Sequence, residues 1–445
     1  MLRLHDTATG EVRPLELREP GKVSMYVCGP TVYGPPHLGH GRFALVFDVL
    51  RRYLEWTGLS VRYVSNITDV DDKIIAKAEA EGVDPAVITA RYESLWYEAM
   101  DAVGVQRPSA DPHATDYVAR MVDLIAQLVD LGLAYETSDG VYFESDKVDG
   151  YGQLARQSLD SLRAGARVET NDEKRSPVDF ALWKKAPVGA PAVWPSPWGE
   201  GRPGWHTECV VMSLDLLGDG FDVHGGGQDL AFPHHENERA QAVALGHRFA
   251  NHWVHNGFVE VEGEKMSKSL GNFTDLLDLV EWGDPRAYRL LVLQSRYRAP
   301  IEISRETVAR AGETLDGLDG FARRFAPLVD GVEPDAAVLA RFRERMDDDL
   351  DTPAAVATLF DAERRANRDD DVAAAAAVFE MARAFGLELH EEVGAASDEA
   401  LALARERDGA RTAKDWARAD ALRDELVAMG YEVADTAVGT QLRPR

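Results

Sequence analysis

The chain has 445 residues, 45% of them hydrophobic, which is enough for two or three domains that each bury a core of their own. The 76 acidic and 49 basic residues give a formal net charge of −27, which excludes a uniformly basic nucleic-acid-binding surface but leaves room for a local basic track. Two cysteines exclude a disulfide framework, and we expect a reducing, cytosolic location, because residues 1–20 lack a leader pattern and no apolar stretch reaches the roughly 18 residues of a membrane helix.

The acidic excess is uneven along the chain. Residues 401–445 contain 8 basic and 8 acidic residues, so the whole excess lies in residues 1–400. The aspartate runs at residues 347–349 and 369–371 are typical of solvated acidic surface. The C-terminal segment is neutral overall, and its lysines and arginines can form the local basic track.

The first elements form a strand, helix and strand unit. Residues 26–28 and 61–68 are rich in strand-forming residues, and apolar residues recur at helical spacing between residues 38 and 56, with Gly58 after them. Such a unit joins two parallel strands by a right-handed crossover. The sequence therefore predicts an α/β protein that opens with a doubly wound, Rossmann-like parallel sheet.

Two helices and an insertion follow. Asp84 and Pro85 mark the start of one helix, and Gly132 ends a second amphipathic helix. Residues 134–204 change to short strand-like pieces among charged residues and prolines. This change in the sequence pattern predicts a domain inserted into the sheet domain.

Regular patterns return after the insertion. Residues 221–224 form a predicted strand that runs into Gly225, Gly226 and Gly227. Beyond residue 300 the sequence is rich in alanine, arginine and glutamate at helical spacing, so we expect the last third of the chain to be helical.

The turn after the first strand combines a rare cysteine with two histidines. Ligands of an open parallel sheet bind beyond the carboxyl ends of its strands, and the turn from Cys28 to His40 follows the first strand. A helix that starts near His37 directs free N–H groups at an anion, and Gly39 lets a ligand approach the backbone. The pattern favours a phosphate site, although four residues alone also fit an ordinary surface turn.

The second cysteine lies shortly before a cluster of histidine and glutamate. His234 and Glu238 are four residues apart, on one helical face, and Pro233 marks a plausible helix start. Together with Cys28 and Cys209 they offer two sulfurs, a nitrogen and an oxygen, a set suited to Zn²⁺. The alternative at this point is a pair of inert buried thiols beside a polar helix.

A third segment, EKMSKSLGN at residues 264–272, follows a strand-like stretch at residues 258–261. Its Lys265 and Lys268 can close on phosphate groups. Taken alone, the segment also fits a solvated loop.

The three segments together resemble a known family. HLGH at residues 37–40 and KMSKS at residues 265–269 resemble the HIGH and KMSKS signatures of class I aminoacyl-tRNA synthetases. Further motifs resemble the cysteinyl-tRNA synthetases over essentially the whole chain. These are MYVCGPTVY, NITDVDDKI, EKRSPVDFALWK, GWHTEC, HGGGQDLAFPHHENERAQ and RTAKDWARADALRDEL.

The resemblance implies an ATP-dependent ligase that activates cysteine and transfers it to tRNA, with one Zn²⁺ per subunit and Mg²⁺ arriving with ATP. The zinc ligands implied are Cys28, Cys209, His234 and Glu238. The implied catalytic and ATP-binding residues are His37, His40, Lys265 and Lys268, with Gly39 and residues Gly225, Gly226 and Gly227 at the nucleotide. The implied cysteine pocket consists of Gly29, Thr68, Trp205 and Asp229, where Thr68 ends the second strand.

The resemblance also implies a domain order. We expect a Rossmann catalytic domain in residues 1–118 and 204–260, interrupted by a connective insertion at residues 119–203. Residues 261–309 form a signature-loop and stem-contact region, residues 310–395 a helical bundle, and residues 396–445 an anticodon-binding domain.

The C-terminal domain is expected to contact tRNA. Its implied tRNA-binding residues are Arg411, Lys414, Arg418 and Arg423, beside an apolar stripe that starts at Trp416. The family usually ends in Gly-Thr-x-Trp, whereas this chain has Leu442 in place of the tryptophan that could stack an unpaired base.

Two alternatives remain at the level of sequence. One is the related ligase of the mycothiol pathway, which attaches cysteine to an amino sugar and lacks the long C-terminal domain. The other is a relative that binds RNA without charging it. We expect a monomer without membrane contact.

Overall fold

The computed structural model describes residues 1–165, 172–261, 264–265, 274–390, 398–436 and 439–444. The elements before the insertion are β1 (Arg3–Asp6), β2 (Glu11–Pro14), β3 (Lys22–Val27), α1 (Leu38–Trp56), β4 (Ser60–Val64), α2 (Asp72–Glu81), α3 (Pro85–Ala102) and α4 (Val118–Asp130). The insertion contains β5 (Ala134–Glu136), β6 (Gly140–Phe143), α5 (Leu159–Gly165), β7 (Phe180–Lys185) and β8 (Gly201–Pro203).

The chain then returns to the first sheet and continues into helices. The returning elements are α6 (Trp205–Leu217), β9 (Phe221–Gly227), α7 (Glu236–Ala244), β10 (Ala250–Asn256), β11 (Val259–Val261) and β12 (Glu264–Lys265). The remaining elements are α8 (Leu279–Trp282), α9 (Pro285–Leu293), β13 (Ile301–Glu302), α10 (Arg305–Val329), α11 (Ala336–Asp347), α12 (Thr352–Asp369), α13 (Val372–Phe385), α14 (Asp398–Thr412), α15 (Trp416–Ala428), β14 (Tyr431–Thr436) and β15 (Gly439–Pro444).

The central sheet is parallel and has the strand order β10-β9-β3-β4. From β3 the chain moves outward in one direction to β4, and from β9 it moves outward in the other direction to β10. The strand order therefore reverses between β3 and β9, and a crevice opens there beyond the carboxyl ends of both strands. The predicted doubly wound α/β fold is confirmed.

Helix α1 connects β3 to β4 and has the predicted bounds. It begins after the N-cap His37, and it ends at Thr57, before Gly58 adopts φ +93°. Its face of buried residues, which includes Leu45 and Phe47, packs in the core between the sheet and the helical bundle. This packing fixes the first turn of α1 at the edge of the crevice.

The insertion forms its own antiparallel sheet, in the order β5-β6-β7-β8, over a second hydrophobic core. The strand predicted over residues 61–68 is shorter, because β4 ends at Val64. Thr68 lies beyond that strand, where its N–H donates to the Pro30 carbonyl over 2.9 Å and its carbonyl accepts from Val32 N–H over 3.2 Å. Thr68 is thereby tied to the loop after β3.

The last third is helical up to residue 428, and α10, α11, α12 and α13 pack on the core that also holds α1. The expectation that helices continue to the end is wrong, since β14 and β15 form an antiparallel hairpin. Leu426, Val433 and Leu442 belong to a separate small core beneath this hairpin. Among the described residues, there is no helix that is both long enough and apolar enough to span a bilayer.

Candidate active site

A cavity of about 330 Å³ occupies the crevice between β3 and β9. The loop after β3 supplies one wall, the first turn of α1 supplies a second, and residues after β9 and β10 close the remainder. The lining side chains include Cys28, Tyr33, His37, His40, Lys73, Trp96, Trp205, Asp229 and Asn256. The predicted phosphate turn and part of the predicted metal site therefore face one cavity.

The two signature histidines hold the first turn of α1 in place. His37 Nδ1 lies 3.3 Å from the N–H of His40, and His40 Nδ1 lies 3.3 Å from the N–H of His37, which is a reciprocal capping arrangement. The rings stack with their centroids 3.6 Å apart, and the edge of Trp96 packs on His40. The start of α1 therefore faces the cavity. The free N–H groups expected there are not found at three positions, because those of His37 and His40 are capped by the histidine rings and that of Leu38 donates to Thr274.

The four predicted metal ligands come together although they are far apart in sequence. The sulfurs of Cys28 and Cys209 lie 3.6 Å apart, and Cys209 Sγ lies 3.6 Å from His234 Nε2. Glu238 Oε1 is 3.4 Å from Cys28 Sγ and 3.0 Å from His234 Nε2. All four side chains are buried, and this donor set could hold a metal ion.

The metal-binding groups perturb one another's proton affinity. Burial and the neighbouring Cys209 raise the pKa of Cys28 well above its usual range. Burial also raises the pKa of Cys209, but hydrogen bonds with Cys28 and His234 outweigh it and lower that pKa to about 6. Burial lowers the pKa of His234, yet the Glu238 carboxylate and the Cys209 sulfur together raise it to about 10. The cluster therefore favours a thiolate at Cys209 beside an imidazolium at His234.

Further histidines surround this cluster, and the sequence interpretation missed them. His224 Nε2 lies 2.7 Å from Glu238 Oε2, and His206 Nδ1 lies 2.9 Å from His234 Nδ1. His224, His235, Cys28 and Glu238 make a second, overlapping donor set. Apolar and polar residues alternate at the start of β9, which places Asp222 and His224 on the same side of the strand. This alternation could have indicated from the sequence that His224 faces the polar cluster.

The start of α7 also differs from the expectation. Pro233 does not begin the helix, because α7 begins at Glu236 and His234 lies in a separate helical turn, Ala231–His235. The chain still places His234 and Glu238 on the same side. The break lets Trp205 stack on the His234 ring, with centroids 3.9 Å apart.

Three of the four residues predicted to form the cysteine pocket line the cavity, and the fourth does not. Gly29, Trp205 and Asp229 line the cavity beside Cys28. Thr68 is buried behind the wall, where its hydroxyl donates to Glu208 Oε2 over 3.0 Å. Gly29 has no room for a side chain, because a Cβ there would lie 1.7 Å from the Asn66 carbonyl oxygen.

The three glycines predicted at the nucleotide lie inside β9. Cβ atoms at Gly225 and Gly226 would come within 2.3 Å of Phe47 and 2.8 Å of His235 respectively. Packing inside the protein therefore accounts for these two glycines, and Gly227 is the one of the three that lines the cavity. A role at the nucleotide stays a prediction.

The signature lysines fall at the limit of the described residues. Lys265 belongs to the short strand β12, which pairs with β11, while Lys268 lies outside the described residues. The segment after the signature returns to the phosphate turn, since Leu276 N–H donates to Pro36 over 2.8 Å and Leu38 N–H donates to Thr274 over 3.2 Å.

A second, larger cavity of about 820 Å³ lies between the insertion and the sheet domain. It shares Lys73 and Trp205 with the first cavity. Aromatic, basic and acidic side chains line it, including Tyr142, Tyr151, Phe180, Phe232, Lys174, Lys184, Asp71, Asp72 and Asp179, and Lys184 pairs with Asp72 over 2.6 Å. Sequence reasoning gave no sign of this cavity, because it forms only when the insertion packs on α6.

The predicted tRNA-binding residues lie on the C-terminal helices. Lys414, Arg418 and Arg423 are exposed and Arg411 is half-buried, and Arg418 donates to Glu406 over 2.6 Å. Trp416 does not join the apolar stripe as expected, because 60% of it is exposed at the start of α15. Leu442 packs in the C-terminal core, so it is a structural residue here.

Comparisons with known families assign most of the chain. Residues 14–313 match a model described as the class I (C) tRNA synthetase catalytic domain. Residues 341–375 match the DALR domain, and residues 394–443 match the cysteinyl-tRNA ligase anticodon-binding domain.

Full-length relatives agree with these matches. The chain is 44% identical over 464 residues to a cysteine–tRNA ligase of Halorhodospira halophila, covering 100% of this chain and 99% of the relative. It is 45% identical over 459 residues to the protein of the same name from Aromatoleum aromaticum, covering 100% of both.

Solved structures show a similar fold at low identity. The methionyl-tRNA synthetase of Mycobacterium tuberculosis with methionyl-adenylate gives a TM-score of 0.59 at 17% identity, covering 82% of this chain and 89% of that one. A protein described as a putative arginyl-tRNA synthetase from Campylobacter jejuni gives 0.55 at 12% identity, covering 84% and 92%. With the family models and the full-length relatives, the conclusion follows that this chain belongs to the cysteinyl-tRNA ligase family of class I aminoacyl-tRNA synthetases.

Proposed function

We propose that the chain activates cysteine with ATP to form cysteinyl-adenylate and pyrophosphate, and then transfers the cysteinyl group to the terminal ribose of tRNA. The observation that carries this proposal is that Cys28 of the buried Cys/Cys/His/Glu cluster and both histidines at the start of α1 line one cavity. The cluster suits a thiol-bearing substrate, and the histidines suit its phosphate co-substrate.

Two distances in the cluster match those expected around zinc. Zn–S bonds of about 2.3 Å and Zn–N bonds of about 2.0–2.1 Å in tetrahedral geometry separate two sulfurs by about 3.7 Å and a sulfur and a nitrogen by about 3.5 Å. The Cys28–Cys209 and Cys209–His234 distances are both 3.6 Å. We assign Zn²⁺ to Cys28, Cys209, His234 and Glu238. Bound there, zinc supplies a soft Lewis acid that favours a substrate thiolate over a serine hydroxyl.

The surrounding histidines support this assignment. Zinc ligands are commonly oriented by a hydrogen bond on their far side. Glu238 Oε2 has His224 as its partner at 2.7 Å, and His234 Nδ1 has His206 at 2.9 Å, which leaves Glu238 Oε1 and His234 Nε2 directed at the two sulfurs. For this reason we favour the Cys28, Cys209, His234 and Glu238 set over the overlapping set with His224.

The chemistry at ATP needs no protein nucleophile, because the carboxylate of cysteine attacks the α-phosphorus and pyrophosphate leaves. The residues of this chain then contribute by positioning and by stabilising charge. We assign binding of the triphosphate to His37, His40, Lys265 and Lys268, with Gly39 and Gly227 near the nucleotide and Mg²⁺ carried by it. We assign the cysteine pocket to Gly29, Trp205 and Asp229, with Thr68 behind them.

The second cavity is suited to the unpaired 3′ end of tRNA. Bases stack on aromatic side chains, which the walls supply in Tyr142, Tyr151, Phe180 and Phe232. Lys174 also lines the cavity and can face a phosphate, whereas Lys184 is paired with Asp72. Its shared boundary at Trp205 gives the terminal ribose a route to the adenylate. The C-terminal helices, with Arg411, Lys414, Arg418 and Arg423, are assigned to the anticodon end.

The two alternatives are not favoured. The amino-sugar ligase was expected to lack the C-terminal domain, whereas the match to the anticodon-binding domain covers residues 394–443. A silent RNA-binding relative is disfavoured by the retained signature residues and metal cluster. We further propose that the enzyme acts as a monomer in the cytosol, with the domain division predicted from its sequence.

Aminoacylation of tRNA with cysteine, measured together with the metal content of the same preparation, tests the proposal. We expect charging of tRNA that carries the cysteine anticodon, cysteine-dependent ATP–pyrophosphate exchange, and one zinc per chain. Exchange without charging of tRNA would instead support the amino-sugar ligase. A zinc-loaded protein with neither activity would overturn the enzymatic assignment.

A further inference from the structure

A buried arginine connects helix α1, which carries His37 and His40, to the backbone that leads into the sheet with Lys265. Arg42 lies in α1 two residues after His40, and only 1% of its side chain is exposed. Its guanidinium makes hydrogen bonds to backbone carbonyl oxygens, and no described carboxylate accepts from it. Nη1 donates to Phe258 over 2.5 Å, and Nη2 donates to Tyr297 over 3.2 Å, to Arg296 over 3.4 Å and to Ala299.

Burying a guanidinium that donates to no carboxylate is costly, so its retention calls for a physical reason. Burial lowers the pKa of Arg42 to about 10, although the nearby Glu260 carboxylate offsets part of this effect, and Arg42 is still charged at neutral pH. Its Nε–H has no hydrogen-bond partner among the described residues, which adds to the cost. What the guanidinium provides in return is a rigid planar fork that spans carbonyl groups of two separate backbone segments.

Those two segments lead into the sheet that carries a signature lysine. Phe258 immediately precedes β11, and Tyr297 and Ala299 lie just before β13. Strand β11 pairs with β13 on one side and with β12 on the other, where Glu260 lies opposite Lys265. Arg42 therefore binds the backbone just before β11 and just before β13, the two strands that pair in the sheet β12-β11-β13.

The chain beyond the signature is attached to the same turn of α1. Leu276 N–H donates to Pro36, and Asp275 forms a bridge with His37. Gly41 packs so closely here that a Cβ would lie 2.5 Å from Leu276. The chain after residue 273 is therefore bonded directly to the start of α1. The chain before residue 266 is connected to α1 indirectly, because β12 pairs with β11 and Arg42 binds the Phe258 carbonyl just before β11.

We propose that Arg42 is a positioning residue for ATP activation, which fixes the sheet carrying Lys265 against the turn carrying His37 and His40. The inference rests on the proposed function, because it assigns ATP to this site. Arg42 lines neither cavity and acts through the backbone that it holds. Since misplacement by about 1 Å costs up to about 100-fold in rate, loosening this connection weakens use of ATP without affecting the metal cluster.

The variant Arg42→Lys tests the proposal by keeping the positive charge and removing the fork. In ATP–pyrophosphate exchange we expect the KM for ATP to rise about tenfold or more. The KM for cysteine and the zinc content stay within about twofold of wild type. Gly257→Ala is a second variant that leaves Arg42 intact. Gly257 lines the first cavity, but a Cβ there would lie 2.5 Å from Arg298 O and 2.7 Å from Ala299 O and would separate the segments that Arg42 holds. It should raise the KM for ATP in the same selective way.

Arg289→Lys is the control for loss of a buried arginine fork away from the cavity. Arg289 is also buried, at 2% exposed, and donates to the Phe385, Val103 and Gly104 carbonyls, but it also pairs with Asp48 over 2.6 Å and lies at the bundle side of α1. We expect it to lower Tm without changing the KM for ATP. The role of Arg42 is overturned if both its variants leave the KM for ATP within twofold, or raise the KM values for ATP and cysteine equally. An inactive wild-type enzyme would instead overturn the proposed function.

Discussion

A substitution at Cys209 can test selectivity for cysteine while leaving the fold intact. It lies in α6, 1% exposed, and its sulfur approaches Cys28, His234 and Asn66. Cys209→Ser preserves size and replaces a soft ligand with a hard one. We expect the zinc content to fall below about one tenth of wild type and stability to fall by about 1–3 kcal/mol. Preference for cysteine over serine should drop toward the roughly 10- to 200-fold that pocket shape provides.

Metal analysis and exchange assays with both amino acids measure these outcomes. Ser213→Ala, a buried change one turn along α6, serves as the folding control because Ser213 only donates to the Val210 carbonyl. Full zinc occupancy in Cys209→Ser with unchanged selectivity would contradict the assignment of this ligand.

Proton release on metal binding follows from the same cluster. At pH 7.5 Cys28 and His234 are protonated in the metal-free site, since their pKa values are raised, and Cys209 and Glu238 are ionised, since theirs are lowered. Zinc requires all four deprotonated, so its uptake should release about two protons at pH 7.5 and about three below pH 6. Affinity therefore falls as pH falls, and more steeply below pH 6. Calorimetry in buffers of different ionisation enthalpy counts the protons, and a release that does not change with pH would contradict this account.

Residue chemistry predicted which cysteine, histidine and glutamate side chains come together better than it predicted which aspartates are exposed. Two rare thiols together with a His/Glu cluster are typical of a metal site, so four ligands could be named before their distances were known. Asp349 shows the opposite case. It was expected on solvated surface, but it is 7% exposed and accepts hydrogen bonds from Tyr297 and Arg298. A run of aspartates does not reveal which member faces a buried donor.

At the scale of elements, α15 presents an aromatic side chain to solvent. Trp416 begins the helix beside Lys414 and Arg418, and 60% of it is exposed. Stacking of one unpaired base on an aromatic ring is worth about 1–3 kcal/mol. Trp416→Ala should therefore raise the KM for tRNA by about 5- to 150-fold, whereas pyrophosphate exchange stays unchanged.

Trp416→Phe should recover most of the loss, because a phenyl ring also stacks. Leu401→Ala, which removes another exposed apolar side chain from the same domain, should leave the KM for tRNA unchanged. Equal effects of the alanine variants at Trp416 and Leu401 would mean that the domain is merely perturbed.

Local signals specified some element boundaries and not others. Helix α1 matched its predicted bounds, because a capping residue and Gly58 mark its two ends. The end of β4 was misplaced by four residues, since residues 65–68 remain extended while bonding to loops. The hairpin β14–β15 was missed, because neighbouring helical patterns were extended across a short, weakly alternating stretch.

At the scale of the whole molecule, long-range pairing was the hardest feature to derive from the sequence. Strand β3 pairs with β9 nearly 200 residues away, and this pairing brings Cys28 to Cys209. No local pattern encodes such a register. The doubly wound class was nevertheless predictable from the strand, helix and strand order, and the crevice at the reversal then followed from the topology.

The cavity proposed for activation and the domain proposed to bind tRNA have separate hydrophobic cores. The cavity belongs to the sheet domain, while the C-terminal helices and hairpin pack on a small core of their own. A chain ending at residue 390 should therefore keep zinc and exchange cysteine-dependent pyrophosphate within about twofold of the full chain. Its charging of tRNA should fall by about 100-fold or more, because the distant contacts that hold the RNA are lost. Steady-state exchange and aminoacylation on the same preparation separate the tasks, and a parallel loss of both would show that the C-terminal domain supports the catalytic fold itself.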